Sequence, residues 1–235
     1  MTAIRSAARA ITRAAEPNMN PATPQYSVSE EIANSLTHGV GVVASIVGLA
    51  VLCSYAALHG ETIHVVAAAI FGAALILCYT SSTLYHAIPL AGAKPWLRAI
   101  DHAAIFVLIA GTYTPFMLVS LGGPWGWGML AAIWSLAVVG IVLRLVLRGR
   151  RHGFVVSLYV AMGWAALIAL QPLIETVAPN GLLLLLAGGL AYTGGVLFYR
   201  WQRLPYHHAI WHGFVLLGST AHFFAVLLYV LPDAA

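Results

Sequence analysis

Three short spacings set the chemical question. His208 and His212 stand four residues apart, Ser82 and His86 do the same, and Asp101 is followed directly by His102. On a helix, residues i and i+4 share one face about 6 Å apart along the axis, so His208 and His212 can offer two imidazoles to one metal ion. The same spacing sets the Ser82 hydroxyl beside the His86 ring. If His86 joins His208 and His212, the result is a three-histidine site with Zn–N bonds of ~2.0–2.1 Å and a fourth position open to water, the pattern of catalytic rather than structural zinc. Zinc held in that way lowers the pKa of its water to about 7 and supplies a hydroxide nucleophile. Asp101 is then placed to accept the water's proton or to orient it. Taken alone, however, an HxxxH at a helix start is more often a pair of interfacial histidines wetted by headgroups. The choice turns on whether the chain brings His86 and Asp101 to the same level as the pair.

The elements that must do so are membrane spans. The chain is 61% hydrophobic and only 8% charged, far too few charges to cover a water-exposed globular surface. A helical crossing needs about 20 mainly apolar residues, and seven such windows run over 36–58, 63–85, 101–121, 125–147, 154–173, 181–200 and 209–231. The expected fold is therefore all-α, an integral membrane bundle of seven transmembrane helices. Residues 1–27 are expected as a basic cytoplasmic tail and linker, and 28–235 as the membrane domain. Within the tail, MTAIRSAARAITRAAE can form a short basic amphipathic helix against the inner leaflet, with an Arg-rich transit peptide as the rival reading.

Charge orients the bundle. Arg5, Arg9 and Arg13 precede span one, Lys94 and Arg98 lie between spans two and three, and Arg144, Arg148, Arg150 and Arg151 flank the turn after span four. Arg200 and Arg203 join spans six and seven, which completes the 11 basic residues, all on one side. The other side carries Glu61, Glu175 and Asp233. The positive-inside rule then places the N-terminus in the cytoplasm and the C-terminus outside. The net charge of +4 reflects this topology and anionic headgroups, and gives no reason to expect nucleic acid as a partner. Cys53 and Cys78 lie in apolar runs without paired spacing, so neither a disulfide framework nor a thiolate metal site is expected.

Under this topology the polar residues converge. Glu30, Glu31, Asn34 and His38 sit at the cytoplasmic entrance of span one, and Ser81, Ser82 and His86 at the exit of span two. Asp101 and His102 open span three, and His207, His208 and His212 open span seven, all on that same side. His59, His64 and His152 fall in turns or loops, where solvated side chains are expected. Ionisable groups inside a bilayer usually face a bundle interior or a water-filled cavity. His222 lies about 15 Å deeper than His212 and within about 40° of His208 around the helix. It either lines the same cavity or is a hydrogen-bonded core histidine. His38 replaces a ligand, supports one, or pairs with Asn34 and Glu31. His207 is expected to turn to the headgroups. Trp96, Trp125, Trp127, Trp201 and Tyr206 read as an interfacial aromatic belt, and the glycines of GVGVVASIVG and AGGLAYTGG as close helix contacts.

Four ordered segments, EEIANSLTHG (Glu30–Gly39), SSTLYHA (Ser81–Ala87), RAIDHAAIFVLIAGTYTPF (Arg98–Phe116) and HHAIWHGFVLLGSTAHF (His207–Phe223), together resemble the hemolysin III family. That is the bacterial branch of the progestin and adiponectin receptor superfamily, itself similar to alkaline ceramidases. The resemblance runs over roughly residues 28–231. It implies a zinc site of Ser82, His86, Asp101, His208 and His212, with Glu31, Asn34 and His38 matching an N-terminal E-x-x-N-x-x-x-H element. It also implies a bacterial plasma-membrane protein that binds Zn2+, with membrane lipids as partners. Its expected activity is hydrolysis of a lipid amide or ester with a role in lipid homeostasis, His86, His208 and His212 holding the metal, Asp101 assisting the water and Ser82 supporting the site. Two other readings stand beside it: a lipid or fluidity sensor with structural zinc, and a membrane-permeabilising haemolysin. The long N-terminal domain of the animal receptors is missing, which argues against hormone binding and leaves the metal site intact.

Overall fold

The computed structural model describes residues 26–146 and 152–231. The expected amphipathic tail helix, Arg148, Arg150, Arg151 and Asp233 lie outside the described residues. Seven helices are long and apolar enough to cross a bilayer, and no strand occurs among the described residues. They are α1 (Val28–His59), α2 (Thr62–Ala87), α3 (Lys94–Pro115, continued with π-helical geometry through Phe116–Leu121) and α4 (Gly123–Val146). There follow α5 (His152–Gly163, a 3-10 stretch Trp164–Ala169 and a last segment Leu170–Thr176), α6 (Pro179–Arg200) and α7 (His207–Tyr229).

Two helices start well before their apolar windows, α1 at Val28 rather than 36 and α3 at Lys94 rather than 101. Hydropathy marks where the hydrocarbon begins, whereas the helix begins where its first N–H groups find acceptors. For α1 that acceptor is Ser27, whose Oγ takes the Glu30 N–H at 3.3 Å while the Ser27 N–H donates to Glu30 Oε2 at 2.9 Å. In α3 the first turn holds Pro95, which has no N–H to satisfy, and the Leu97 N–H donates to the Ala93 carbonyl at 2.9 Å. The extra turns hold polar residues above the apolar layer, and they carry Glu31, Asn34 and Arg98 into helical register with the spans.

Breaks in the helices are also accounted for by local chemistry. Pro115 precedes the π-helical stretch of α3, which closes with Gly122 N–H on Met117 O at 3.0 Å. Gly122 and Gly123 then take φ of 55° and 50°, a left-handed path that a side chain would oppose, and the chain reverses into α4. Where α5 tightens to 3-10 geometry, the Tyr113 hydroxyl from α3 is shared between the Met162 and Gly163 carbonyls at 3.0 and 2.9 Å and accepts the Ala166 N–H at 2.7 Å. Displaced backbone groups must be satisfied inside a membrane, and α3 supplies the partner.

Neighbouring helices pack in the order α1–α2, α2–α3 and α3–α4, with α6 against α7 and α7 closing back onto α1. α3 is the central element, with 61% of its apolar window buried against 17% for α6, the most peripheral of the seven. Glycine permits the close approaches expected from the sequence: a Cβ on Gly41 would lie 2.9 Å from Tyr79 and Leu216, and one on Gly48 would lie 3.0 Å from Phe223. The alternation of directions gathers Lys94, Arg98, Arg144, Arg200 and Arg203 at the end where α1 begins, and Glu61 and Glu175 at the other. Trp96, Trp125, Trp127, Trp201 and Tyr206 are exposed at helix ends, as an aromatic belt requires. Cys53 and Cys78 are unpaired.

Candidate metal centre

At the basic end of the bundle α2 and α7 cross so that His86, His208 and His212 meet. All three are buried, and each offers a ring nitrogen within 4.8 Å of the others. The i, i+4 spacing on α7 aligns His208 and His212 with ring centroids 4.5 Å apart, and the His86 ring lies 5.0 and 5.2 Å from theirs. His86 Nε2 and His208 Nδ1 have no hydrogen-bond partner among the described residues.

α1 supplies the orientation. Glu31, Asn34 and His38 follow i, i+3, i+7 spacing and therefore share one helical face. Glu31 Oε2 lies 2.5 Å from His86 Nδ1, so that nitrogen carries the proton and Nε2 keeps its lone pair. Lys94 holds the carboxylate in place, its Nζ 2.8 Å from Glu31 Oε1 and 2.7 Å from the Tyr85 carbonyl. The Asn34 amide nitrogen also lies 3.4 Å from His86 Nδ1, but two donors face each other there while that nitrogen donates to Glu31. Asn34 also presents its carbonyl to His212 Nδ1 at 3.1 Å, which fixes the His212 tautomer in the same sense. His38 stacks on the His212 ring at 3.5 Å between centroids, 13° from parallel, and stands outside the three-nitrogen group.

The cluster opens onto a cavity of about 140 Å³. Ser82, Asp101, His102, His208 and His212 line one end of it, while Ile105, Leu108 and Val215 continue the wall into the membrane. Ser82 Oγ is buried and has no partner among the described residues. Asp101 Oδ2 lies 3.3 Å from His102 Nδ1, which also approaches the Arg98 carbonyl at 2.8 Å. The structure thus brings together the serine, the aspartate and the histidines expected from the sequence. It puts His38 on the wall of the same cavity as well. His222 satisfies both of its sequence readings at once, lining the cavity while its Nε2 donates to the Leu185 carbonyl at 3.1 Å.

His207 departs from expectation. It is buried, and its Nδ1 approaches the Phe198 carbonyl at 3.2 Å, because the left-handed Tyr206 (φ 56°) turns the chain back toward the end of α6. The Tyr206 N–H in turn donates to Glu30 Oε1 at 3.1 Å, tying the start of α7 to the start of α1. Tyr26 carries no signal in the sequence that would single it out. Its half-buried ring lies 5.1 Å from His208 and 5.8 Å from His86, roofing the cluster, and burial pushes its phenol above the ordinary tyrosine range so that it stays neutral. An isolated tyrosine just before a helix carries no pattern by which such a contact could be read.

Three buried imidazoles on two helices, two of them oriented by a partner on α1, could hold a metal ion. His86 Nε2 and His208 Nδ1, buried without a hydrogen-bond partner among the described residues, point the same way, since a buried polar atom left unsatisfied costs about 1–3 kcal/mol.

The chain matches known proteins over most of its length. A family model described as "Haemolysin-III related" matches residues 26–223, from the roof of the cluster to the deep histidine of α7. The chain is 46% identical over 208 residues to "Hemolysin-3" of Bacillus cereus, covering 88% of this chain and 95% of that protein. It is 47% identical over 204 residues to "Hemolysin-3 homolog" of Bacillus subtilis, covering 87% and 96%. The human "Monocyte to macrophage differentiation factor" is 29% identical over 220 residues, covering 89% of each.

Proposed function

The chain belongs to the Haemolysin-III related family of membrane proteins, and from that premise we propose that it is a zinc-dependent, ceramidase-like hydrolase of a lipid amide or ester, acting in membrane-lipid homeostasis. One observation carries this reading: three buried histidines with converging nitrogens stand at the end of an apolar cavity that also presents Ser82 and Asp101. A cluster built only to brace helices has no need of a cavity beside it.

In this reading His86, His208 and His212 hold the ion, Glu31 and the Asn34 carbonyl orient two of the rings, and Lys94 steadies Glu31. Bound zinc would supply Lewis acidity toward a carbonyl and a water acidified to near-neutral pKa. The Asp101 carboxylate accepts the proton of the attacking water and returns it to the leaving nitrogen or oxygen. Ser82, with its hydroxyl uncommitted, donates to the substrate carbonyl oxygen. The apolar wall takes the acyl chain and keeps bulk water from the reacting groups. The basic end of the bundle supports an N-terminus in the cytoplasm and a C-terminus outside, in a bacterial plasma membrane, with the centre at the inner leaflet.

Two variants test the reading. Metal analysis of purified protein is expected to give about one zinc per chain and much less in His208→Ala, because one of three ligands is gone. Asp101→Ala should keep its zinc and lose fatty-acid release from lipid amides by about a hundredfold or more, the usual contribution of a positioned proton acceptor. Lipid profiles of cells expressing wild type and His86→Ala then identify the substrate. A protein without zinc ends this proposal. Zinc retained with no lipid hydrolysed across a broad panel favours a sensor in which the ion is structural.

A further inference from the structure

The cavity has a second polar layer that the hydrolytic reading leaves unused. Tyr192 and His222 line it, their ring centroids 5.5 Å apart. Measured along α7, His222 lies about 15 Å below His212. Behind Tyr192 stands Ser219, whose Oγ is 2.7 Å from the Tyr192 hydroxyl and accepts a hydrogen bond of 2.7 Å from Tyr79.

A proton count shows what this layer lacks. The three hydroxyls hold three protons and form two hydrogen bonds. Tyr79 spends its proton on Ser219, so Ser219 and Tyr192 share one bond between two protons, and one proton is left over. Either oxygen can donate in the Ser219–Tyr192 bond; Tyr192 lines the cavity and Ser219 does not, and with Ser219 as the donor the surplus proton is the Tyr192 O–H. His222 has the opposite surplus. Its Nε2–H is committed to the Leu185 carbonyl, which makes Nδ1 the acceptor of the neutral ring, and Nδ1 is buried without a partner among the described residues. The ring is held there by design of the neighbouring helix, since any side chain at Gly188 would collide with it.

One spare donor and one spare acceptor, carried by neighbouring rings of the cavity wall, complement a single chemical group. A carbonyl would satisfy Tyr192 and leave His222 unpaired, and a methylene would satisfy neither. A hydroxyl accepts from the first and donates to the second. We propose that Tyr192, Ser219 and His222 form a second subsite that binds a hydroxyl group carried midway along a lipid chain. The inference rests on the reading above only in placing the chain's polar end at the histidines.

The test uses fatty acids, which contain no scissile bond, so it reads the subsite whether or not the centre hydrolyses lipids. Ricinoleic acid and oleic acid differ by one mid-chain hydroxyl, and their affinities for the zinc-loaded protein in detergent are measured by competition against a fluorescent fatty acid. Wild type is expected to favour ricinoleic over oleic acid by roughly threefold to tenfold relative to the variants, the yield of one or two buried hydrogen bonds in a membrane protein. Tyr192→Phe and His222→Leu should each abolish that preference while still binding oleic acid, with zinc content and thermal midpoint confirming the fold. The same preference ratio in wild type and both variants would overturn the proposal and assign the two spare groups to a trapped water. Parallel loss of both fatty acids in the variants, or no binding of either by wild type, would overturn it as well.

Discussion

Two of the histidines that line this cavity from α7, His212 above and His222 below, each have one nitrogen claimed by a backbone carbonyl. They differ in which nitrogen is claimed. Asn34 takes the Nδ1 proton of His212 and leaves Nε2 facing His86 and His208, so the upper layer accumulates lone pairs and calls for a cation. Leu185 accepts from His222 Nε2 and leaves Nδ1 without a partner among the described residues, on a ring 5.5 Å from that of Tyr192, so the lower layer is the place of the proposed neutral hydroxyl. Residue type is identical at the two depths. The carbonyl that each ring meets decides the chemistry.

The strongest way to break this contrast after removing a ligand itself is to remove a support. Glu31→Ala deletes the carboxylate that fixes the His86 tautomer and releases Lys94. Zinc affinity, read by competition with a chromogenic chelator, is expected to fall about 10–100-fold, the usual loss when a partner of a ligating histidine is removed. His222→Leu is the matching change below. It should leave zinc affinity within about twofold of wild type, because no metal-directed nitrogen is aligned by His222. Equal losses in the two variants would mean that the layers are one coupled network, and the division drawn here would fail.

Much of the upper layer was legible in the sequence because it depends on two regular periods. Apolar windows of bilayer length fix which residues share a membrane level, and the i, i+4 spacing of His208 and His212 fixes a shared face. Seven spans and one-sided arginines were enough to bring His86, Asp101 and the pair together. The same logic failed at His207, whose direction is set by the left-handed Tyr206 and the end of α6 rather than by helical period. It also misplaced the starts of α1 and α3, since polar first turns are invisible to hydropathy yet well capped. The lower layer was not legible beyond His222. Tyr79, Tyr192 and Ser219 each stand directly before another hydroxyl residue, Thr80, Thr193 and Thr220, so nothing in the sequence singles them out, and only the packing of α2, α6 and α7 joins them.

The smallest effect is expected where the layers touch. Tyr79 packs its ring edge-on to His38 at 5.0 Å, and His38 stacks on His212, while the Tyr79 hydroxyl donates downward to Ser219. Tyr79→Phe keeps the ring and deletes the hydroxyl, so it cuts the lower connection and spares the upper one. Ser219 retains Tyr192 as a partner, and no buried group is stranded. The loss of stability should therefore lie near the membrane average of ~0.6 kcal/mol for a side-chain hydrogen bond and below ~1.7 kcal/mol. Denaturant unfolding in mixed micelles reads that loss, and chelator competition on the same sample is expected to show unchanged zinc affinity. A tenfold fall in affinity would mean that the hydroxyl positions His38 and through it His212, and that the aromatic stack is part of the metal centre rather than its neighbour.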